Sequence, residues 1–131
     1  MINTGIYNYI DVLDRGADAA ATRNTVLSNN IANVDTPNYT RKDVAFNAYL
    51  EEAMIGPGDL DERVAKINTR LEEINCSVYT DNVNLSYRAD GNNVDISTEN
   101  VYLAENQIRY NALVDSMNQE FSRISTALGK G

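Results

Sequence analysis

Histidine and tryptophan are absent from this sequence, and Cys76 is its only cysteine. Without a second cysteine the chain forms no internal disulfide, and without histidine it lacks the commonest zinc ligand and general base. No imidazole activates Cys76 as a nucleophile, and the adjacent carboxylates of Glu72 and Glu73 diverge on a helix. We therefore predict that the chain is not an enzyme and that it binds no metal or cofactor.

Basic residues are also scarce, with 11 against 19 acidic residues and a net charge of −8. Such a chain is repelled by phosphate backbones and anionic lipid headgroups, so we expect no nucleic-acid partner. No uncharged apolar run approaches the roughly 18 to 20 residues of a membrane helix, so we expect no direct membrane insertion. The N-terminus, MINTGIYNYIDVLDRG, lacks a basic region followed by an apolar block, which argues against a cleaved signal peptide.

Two long heptad patterns occupy the ends of the chain. Apolar residues at alternating spacings of three and four form one stripe along a helix. The stripes, each interrupted by one amide, are Ile6, Ile10, Leu13, Ala17, Ala20, Asn24, Leu27, Ile31 and Val34, and Leu103, Gln107, Tyr110, Val114, Met117, Phe121, Ile124 and Leu128. We predict that they pack antiparallel within one subunit, with Leu13 beside Phe121 and Leu27 beside Val114.

The middle of the chain carries weaker patterns. Leu60, Val64, Ile67, Leu71 and Ile74 predict a short third helix after Pro57 and Gly58. Residues 76–94 suggest short extended pieces in a weak hairpin or a loop, at Val78, Tyr79, Val83, Leu85 and Tyr87. Ser97 marks the start of the last helix as a capping residue, and Glu99 in the first turn is expected to interact with the positive end of the helix dipole. The fold class is therefore mainly α, one domain with an antiparallel, coiled-coil-like pair of long terminal helices. Its parts are residues 1–42, a variable middle segment at 43–96, and residues 97–131.

Oxygen-bearing side chains in the middle segment raise the alternative of a calcium site. The order of these residues lacks the fixed ligand positions and the final bidentate Glu of an EF-hand, so it fits an Asn-rich turn better. The residues concerned are Asp81, Asn84, Asp90, Asn92 and Asp95.

The stretch VLSNNIANVDTPNYTRK, residues 26–42, begins as a helix and ends as a loop. Pro37 disfavours helical geometry at Thr36, so we expect a turn with Asn38 in the left-handed region. Tyr39 is expected to extend outward with the basic residues after it. The amides of Asn30 and Asn33 can pair either with local backbone or with an adjacent chain, and composition alone favours a capped helix end.

Two blocks resemble a known family. SNNIANVDTPNYTRKDVAF is similar to the N-terminal signature of bacterial flagellar basal-body rod proteins, an S-x-N-I-A-N core followed by T-P-G-Y and a basic residue. DGNNVDISTENVYLAENQIRYNALVDSMNQEFSRISTAL resembles the C-terminal half of the FlgB-type proximal-rod proteins. Asn38 stands where that family usually has Gly, and Asn still permits the left-handed turn. Residues 51–88 show little resemblance.

The resemblance implies a structural subunit of the proximal rod that polymerises helically into the drive shaft crossing the periplasm. Members of this family are exported by the flagellar type III secretion apparatus through an uncleaved N-terminal signal, here Met1 to about Arg15. The implied partners are copies of itself, other rod proteins and the basal FliE adaptor. From this resemblance we expect contacts between subunits at the hinge, made by Asn30, Asn33, Thr36, Pro37, Asn38 and Tyr39. We expect Ile10, Leu13, Leu27, Ile31, Tyr110, Val114, Met117, Phe121 and Ile124 to hold the two helices together.

The alternative function is a soluble helical adaptor whose terminal helices bind a partner helix in a groove. Such an adaptor is folded and monomeric when dilute, whereas a rod subunit depends on its neighbours.

Overall fold

The long helices at the two ends of the chain dominate the computed structural model, which describes residues 5–47, 57–70, 77–82 and 88–129. The elements in chain order are α1 (Gly5–Ala32), β1 (Lys42–Val44), α2 (Leu60–Thr69), β2 (Val78–Thr80) and α3 (Ile96–Ala127). The predicted fold class, mainly α with long terminal helices and a short helix between them, is confirmed. None of the helices in these ranges combines the length and apolarity needed to span a membrane.

Helices α1 and α3 run antiparallel and approach closely through small residues. Gly16 of α1 faces Leu113 of α3, and a Cβ atom added at Gly16 would lie 3.4 Å from both Leu113 methyl carbons. One turn further along α1, the carbonyl of Ala20 accepts a hydrogen bond of 2.7 Å from the Asn106 side chain. Ala17 and Ala19 are also buried. The small side chains therefore bring the two backbones close enough for a side-chain amide to bridge them.

Helix α2 confirms the predicted short helix. The side chain of Asp59 caps its N-terminus by accepting from the backbone N–H of Glu62. Val64 and Ile67 are buried, as their spacing predicts. The predicted positions Leu71 and Ile74 lie outside the described residues.

Strands β1 and β2 form a two-stranded antiparallel sheet in which Asp43 lies opposite Tyr79. The extended character predicted at Val78 and Tyr79 is confirmed, but the strand that pairs with them is β1, which directly follows the hinge. A three-residue strand is too short to show the alternation that identifies strands in a sequence. Val83, Leu85 and Tyr87 lie outside the described residues.

The face of α3 that packs on α1 is rotated from the predicted one. Glu99 and Asn106 are buried and Leu113 faces α1, whereas Gln107 is exposed and Phe121 is 55% exposed. The prediction that Gln107 and Phe121 lie between the helices of one chain is therefore wrong. The physical reason is that Glu99 and Asn106 form hydrogen bonds with α1 and the hinge. Rotation of α3 toward these partners turns its apolar stripe partly away from α1.

Candidate assembly site at the hinge and the helix pair

The hinge after α1 has the predicted turn. Asn38 has φ 58°, so the prediction of a left-handed residue here is confirmed. Its backbone N–H donates to the carbonyl of Asp90 over 2.7 Å. Gly91, with φ 74°, lies so close that a Cβ atom there would be 2.7 Å from Oδ1 of Asn38. The hinge is therefore packed against residues 88–94 of the same chain, and Gly91 permits that approach.

Asn92 holds the turn that directly follows α1. Its side-chain nitrogen lies 2.8 to 3.0 Å from the carbonyl oxygens of Asn33, Val34 and Thr36, to which it donates. One amide from a distant segment therefore fixes the backbone of the turn after the last residue of α1. Asn92 is fully buried. Asn92, one of the residues considered for a calcium site, therefore uses its side chain as a hydrogen-bond donor to the backbone.

Asn30 anchors the start of β1. Its Nδ2 donates to the carbonyl of Lys42 over 2.7 Å and to Oε2 of Glu99 over 3.0 Å, and its Oδ1 accepts from the N–H of Lys42 over 3.0 Å. The side chain therefore pairs with Lys42 as a neighbouring strand would. The hydroxyl of Tyr39 also donates to Oδ1 of Asn30, over 3.2 Å.

A buried ion-pair cluster lies beside Asn30 and joins the hinge to both long helices. Arg41 donates from Nε to Glu99 of α3 and from Nη1 to Asp81, each over 2.5 Å, and from Nη2 to Asp43 over 3.3 Å. Asp43 also accepts two hydrogen bonds from Arg23 of α1, of 2.7 and 3.1 Å. We call Arg23, Arg41, Asp43, Asp81 and Glu99 the arginine cluster.

Burial and pairing have opposite effects on the pKa values of the cluster residues. Burial alone would lower the pKa of Arg41, but its hydrogen bonds and charge attraction to Glu99 raise that pKa above the ordinary arginine value. Burial would raise the pKa of Asp43, but the hydrogen bonds from Arg23, the Val44 N–H and Arg41, together with the attraction of the Arg23 charge, outweigh burial and lower that pKa. The Tyr102 ring lies under both guanidinium groups, 5.6 Å from that of Arg23 and 5.4 Å from that of Arg41.

Arg41 and Asp43 are therefore charged at neutral pH, and the ion pairs of the cluster lie within the chain. Across the described ranges no group of three or more acidic or cysteine side chains is arranged to hold a metal ion.

Several predicted hinge contacts prove to be internal. Asn30 is fully buried and its amide bonds within the chain, so the expectation that it meets other subunits is wrong. Tyr39 is half-buried against Asn30, and Arg41 is buried rather than extended outward. Asn33 is half-buried and donates to the carbonyl of Asn29 over 2.8 Å. The hinge amides therefore satisfy the backbone of their own chain.

Three of the predicted hinge residues, Thr36, Pro37 and Asn38, are exposed at the tip of the turn. They remain available to a neighbouring molecule.

Of the predicted helix-seam residues, Leu27 is fully buried, Tyr110 is 36% exposed and Phe121 is 55% exposed. The others are half-buried, namely Ile10, Leu13, Ile31, Val114, Met117 and Ile124.

Sequence reasoning missed Arg41 and Glu99 as interior residues. The sequence predicts that Ser97 caps the last helix and that Glu99 interacts with the positive end of that helix. In the structure Asp95 is the capping residue and accepts from the N–H of Ser97, and Glu99 is buried. Charged residues are rarely buried unless they are paired, and the partners here are 58 residues apart in the sequence. No local pattern indicates such a pair.

Comparison with known proteins decides the family. Residues 10–40, which include most of α1 and the hinge, match the family model described as flagella basal body rod protein. The flagellar basal body rod protein FlgB of Bacillus subtilis is 36% identical over 128 residues, covering 93% of this chain and 94% of that protein. The chain belongs to the FlgB family of flagellar basal body rod proteins. FlgB of Cereibacter sphaeroides is 33% identical over 131 residues, covering 95% and 97% of the two chains. FlgB of Escherichia coli K12 is 30% identical over 118 residues, covering 85% and 86%.

Membership in the FlgB family gives the protein a structural role as a subunit of the flagellar basal-body rod. The FlgB relatives match over almost the whole chain, so the resemblance extends beyond the short family motif through α3. The motif itself ends within the hinge, where the arginine cluster and Asn92 hold α1, β1 and α3 together.

Proposed function

We propose that this rod subunit polymerises helically, with copies of itself and with sister rod proteins, into the proximal part of the drive shaft. The observation that best supports this proposal is a set of exposed apolar side chains on α3, which the described part of the chain leaves uncovered. Phe121 is 55% exposed, Leu128 60% and Tyr110 36%. We call these three residues, with the half-buried Val114, the open face.

The open face follows one line along α3. At 3.6 residues per turn, Tyr110, Phe121 and Leu128 point within about 20° of one another. Their line runs beside the α1 contact, because Glu99 and Asn106 occupy the centre of that contact. An apolar stripe of this length on a monomer is typical of an interaction surface. A contact between the open face and a different surface of the next copy is heterologous, and such contacts generate an open helical filament when they do not close.

The exposed tip of the hinge provides a second proposed contact. Thr36, Pro37 and Asn38 project from a turn whose backbone is fixed by Asn92 and Gly91. A turn held in one conformation loses little conformational entropy when it binds, which favours its use between subunits.

Location and delivery complete the proposal. We infer that the rod segment containing this subunit crosses the periplasm and that the FliE adaptor lies at its base. We infer that the flagellar export apparatus delivers the chain without cleaving a signal peptide and that residues 1–15 contribute the export address. Deletion of residues 1–10 is then expected to block export or polymerisation. Normal amounts of the shortened protein in basal bodies would contradict this.

Assembly through the open face can be tested with Phe121→Ser and Ile108→Ser. Ile108 is 71% exposed and points to nearly the opposite side of α3, so it is a matched control for loss of an exposed apolar side chain. Purified basal bodies and culture supernatants are assayed for each protein. We expect Phe121→Ser to be exported but depleted from basal bodies, while Ile108→Ser is incorporated normally. Equal incorporation of the two variants would refute the role of the open face.

A helical adaptor remains the second candidate because α1 and α3 also flank an apolar cavity of about 550 Å³. Leu13, Gly16, Phe46 and Leu113 line it, and Arg109 lies at its edge. A cavity of this size can accept one or two side chains of a partner helix. The adaptor function predicts that the chain does not self-assemble and binds a partner helix through Phe46, and it predicts that Phe121→Ser has no effect.

A further inference from the structure

Helix α2 and its C-cap residue, Arg70, present three basic side chains in one line. Arg63, Lys66 and Arg70 are spaced by three and four residues, so they share one side of the helix. Lys66 and Arg70 are exposed and Arg63 is half-buried. Among the residues that the structure describes, none of the three forms an ion pair, and Nε of Arg63 is buried without a hydrogen-bond partner. We call them the basic stripe.

Helix α1 presents acidic side chains with the same spacing. Asp11, Asp14 and Asp18 are all exposed, and none of them is paired with a basic group in the described part of the chain. Arg15 lies at the edge of this line and likewise forms no ion pair there. We call the three aspartates the acidic stripe. Each stripe spans eight residues, so its two ends lie about 10 Å apart at the rise of an α-helix.

The basic stripe of one chain does not face the acidic stripe of the same chain. Asn68 holds α2 on α1 by donating to Oδ1 of Asn8 over 2.8 Å. At 3.6 residues per turn, Lys66 and Arg70 point to nearly the opposite side of α2 from Asn68. The basic stripe therefore faces away from α1 of its own chain, and a second molecule can reach it.

We propose that the basic stripe of one subunit docks on the acidic stripe of the next copy of this chain in the rod. Two copies of a chain with net charge −8 repel each other unless their few basic groups meet acidic ones. The equal length and spacing of the stripes allow up to three ion pairs to form together. Because the stripes lie on different helices and face different directions, the contact is heterologous and can repeat from copy to copy.

This inference rests on the proposed function and specifies the relative position of neighbouring subunits. A single exposed ion pair contributes little to affinity, whereas an aligned row of charges selects one relative position of two molecules. The open face of α3 then contributes most of the binding, and the stripes determine how far one copy is shifted along its neighbour.

The test reverses charge at the middle of each stripe, with Lys66→Glu and Asp14→Lys, and measures incorporation into purified basal bodies. We expect each single variant to be incorporated about three- to tenfold less than wild type. The double variant restores the opposite charges and should recover most of the loss. Cells that express the two single variants together should also recover, because alternating copies present complementary stripes. Lys42→Glu, which reverses an exposed lysine outside the stripe, should be incorporated normally.

The circular dichroism spectrum of each purified variant establishes that it folds. A loss that neither the double variant nor co-expression reverses would overturn the pairing, as would normal incorporation of Lys66→Glu. Binding of wild type, but not Lys66→Glu, to anionic lipid vesicles would instead assign the basic stripe to a membrane surface. If Lys66→Glu is normal but Phe121→Ser is depleted, the stripe pairing fails while the proposed assembly stands.

Discussion

Replacement of Arg41 by Met tests the arginine cluster, which connects the hinge to both long helices. The variant removes the guanidinium that pairs with Glu99, whose side chain is only 1% exposed. Glu99 then retains the single hydrogen bond from Asn30, over 3.0 Å. Leaving a buried charge without its ionic partner costs about 3 to 5 kcal/mol of unfolding free energy, out of the roughly 5 to 15 kcal/mol typical of a domain.

Urea unfolding of the purified chain, followed by circular dichroism, measures this loss. With a denaturant slope of about 2 kcal/mol per molar, the midpoint should fall by about 1.5 to 2.5 M. Lys42→Met is the matched control, because the neighbouring lysine is exposed and its side chain forms no ion pair with the residues described; we expect a change within about 0.5 kcal/mol. A loss below about 1 kcal/mol for Arg41→Met would refute the reasoning that the cluster holds the hinge in place.

Three further predictions concern the hinge and its electrostatics. Asn38→Gly should support normal swimming, whereas Asn38→Val should impair it because a β-branched residue opposes the φ of 58°; normal swimming with Val would contradict this. Asn92→Ala should lower the unfolding free energy by about 1 to 3 kcal/mol in urea titrations, since the three hydrogen bonds from this buried amide to the turn are lost, and a change near zero would show that water replaces the amide. The pKa of Asp43 is lower in the folded chain than its unfolded value of about 3.9, so the paired carboxylate stabilises the fold above that pH. This stabilisation is lost as the pH falls through the lower pKa of the folded chain. Asp43→Asn should therefore destabilise at neutral pH, and its deficit should shrink as pH is lowered below about 4; a constant deficit would refute the electrostatic origin.

The helices and the turn could be predicted from the sequence because their signals are local. Heptad spacing identified both long helices, and Val64 and Ile67 identified the short helix with its buried side. Pro37 followed by Asn38 predicted the left-handed turn, because few residues tolerate that conformation. Each of these inferences depends on residues within about two turns of one another.

The face on which α3 packs could not be predicted in the same way. Apolar periodicity placed Phe121 in the contact with α1, but the buried hydrogen bonds of Glu99 and Asn106 rotate the helix. A buried polar group without a partner is destabilising, so pairing the Glu99 carboxylate and the Asn106 amide nitrogen outweighs covering Phe121 within one chain. The displaced apolar stripe is the surface that we propose for assembly.

The partners of the hinge amides could not be predicted for a related reason. The sequence allows Asn30 and Asn33 to pair either with local backbone or with an adjacent chain, and the family resemblance favours contacts with other subunits. The structure uses Asn30 to pair with Lys42 and Glu99, partners that lie 12 and 69 residues away. Sequence spacing gives no indication of which distant segment uses an amide.

Chemical protection of the open face in assembled rods tests the central claim most directly. Phe121→Cys and Ile108→Cys are made separately in a Cys76→Ser background, and maleimide labelling is measured in purified basal bodies and in the free protein. Assembly through the open face predicts that labelling at position 121 falls at least about tenfold in basal bodies while labelling at position 108 changes little, because buried thiols are inaccessible to the reagent. Equal labelling of position 121 in basal bodies and in free protein would contradict the claim that this face packs against other subunits.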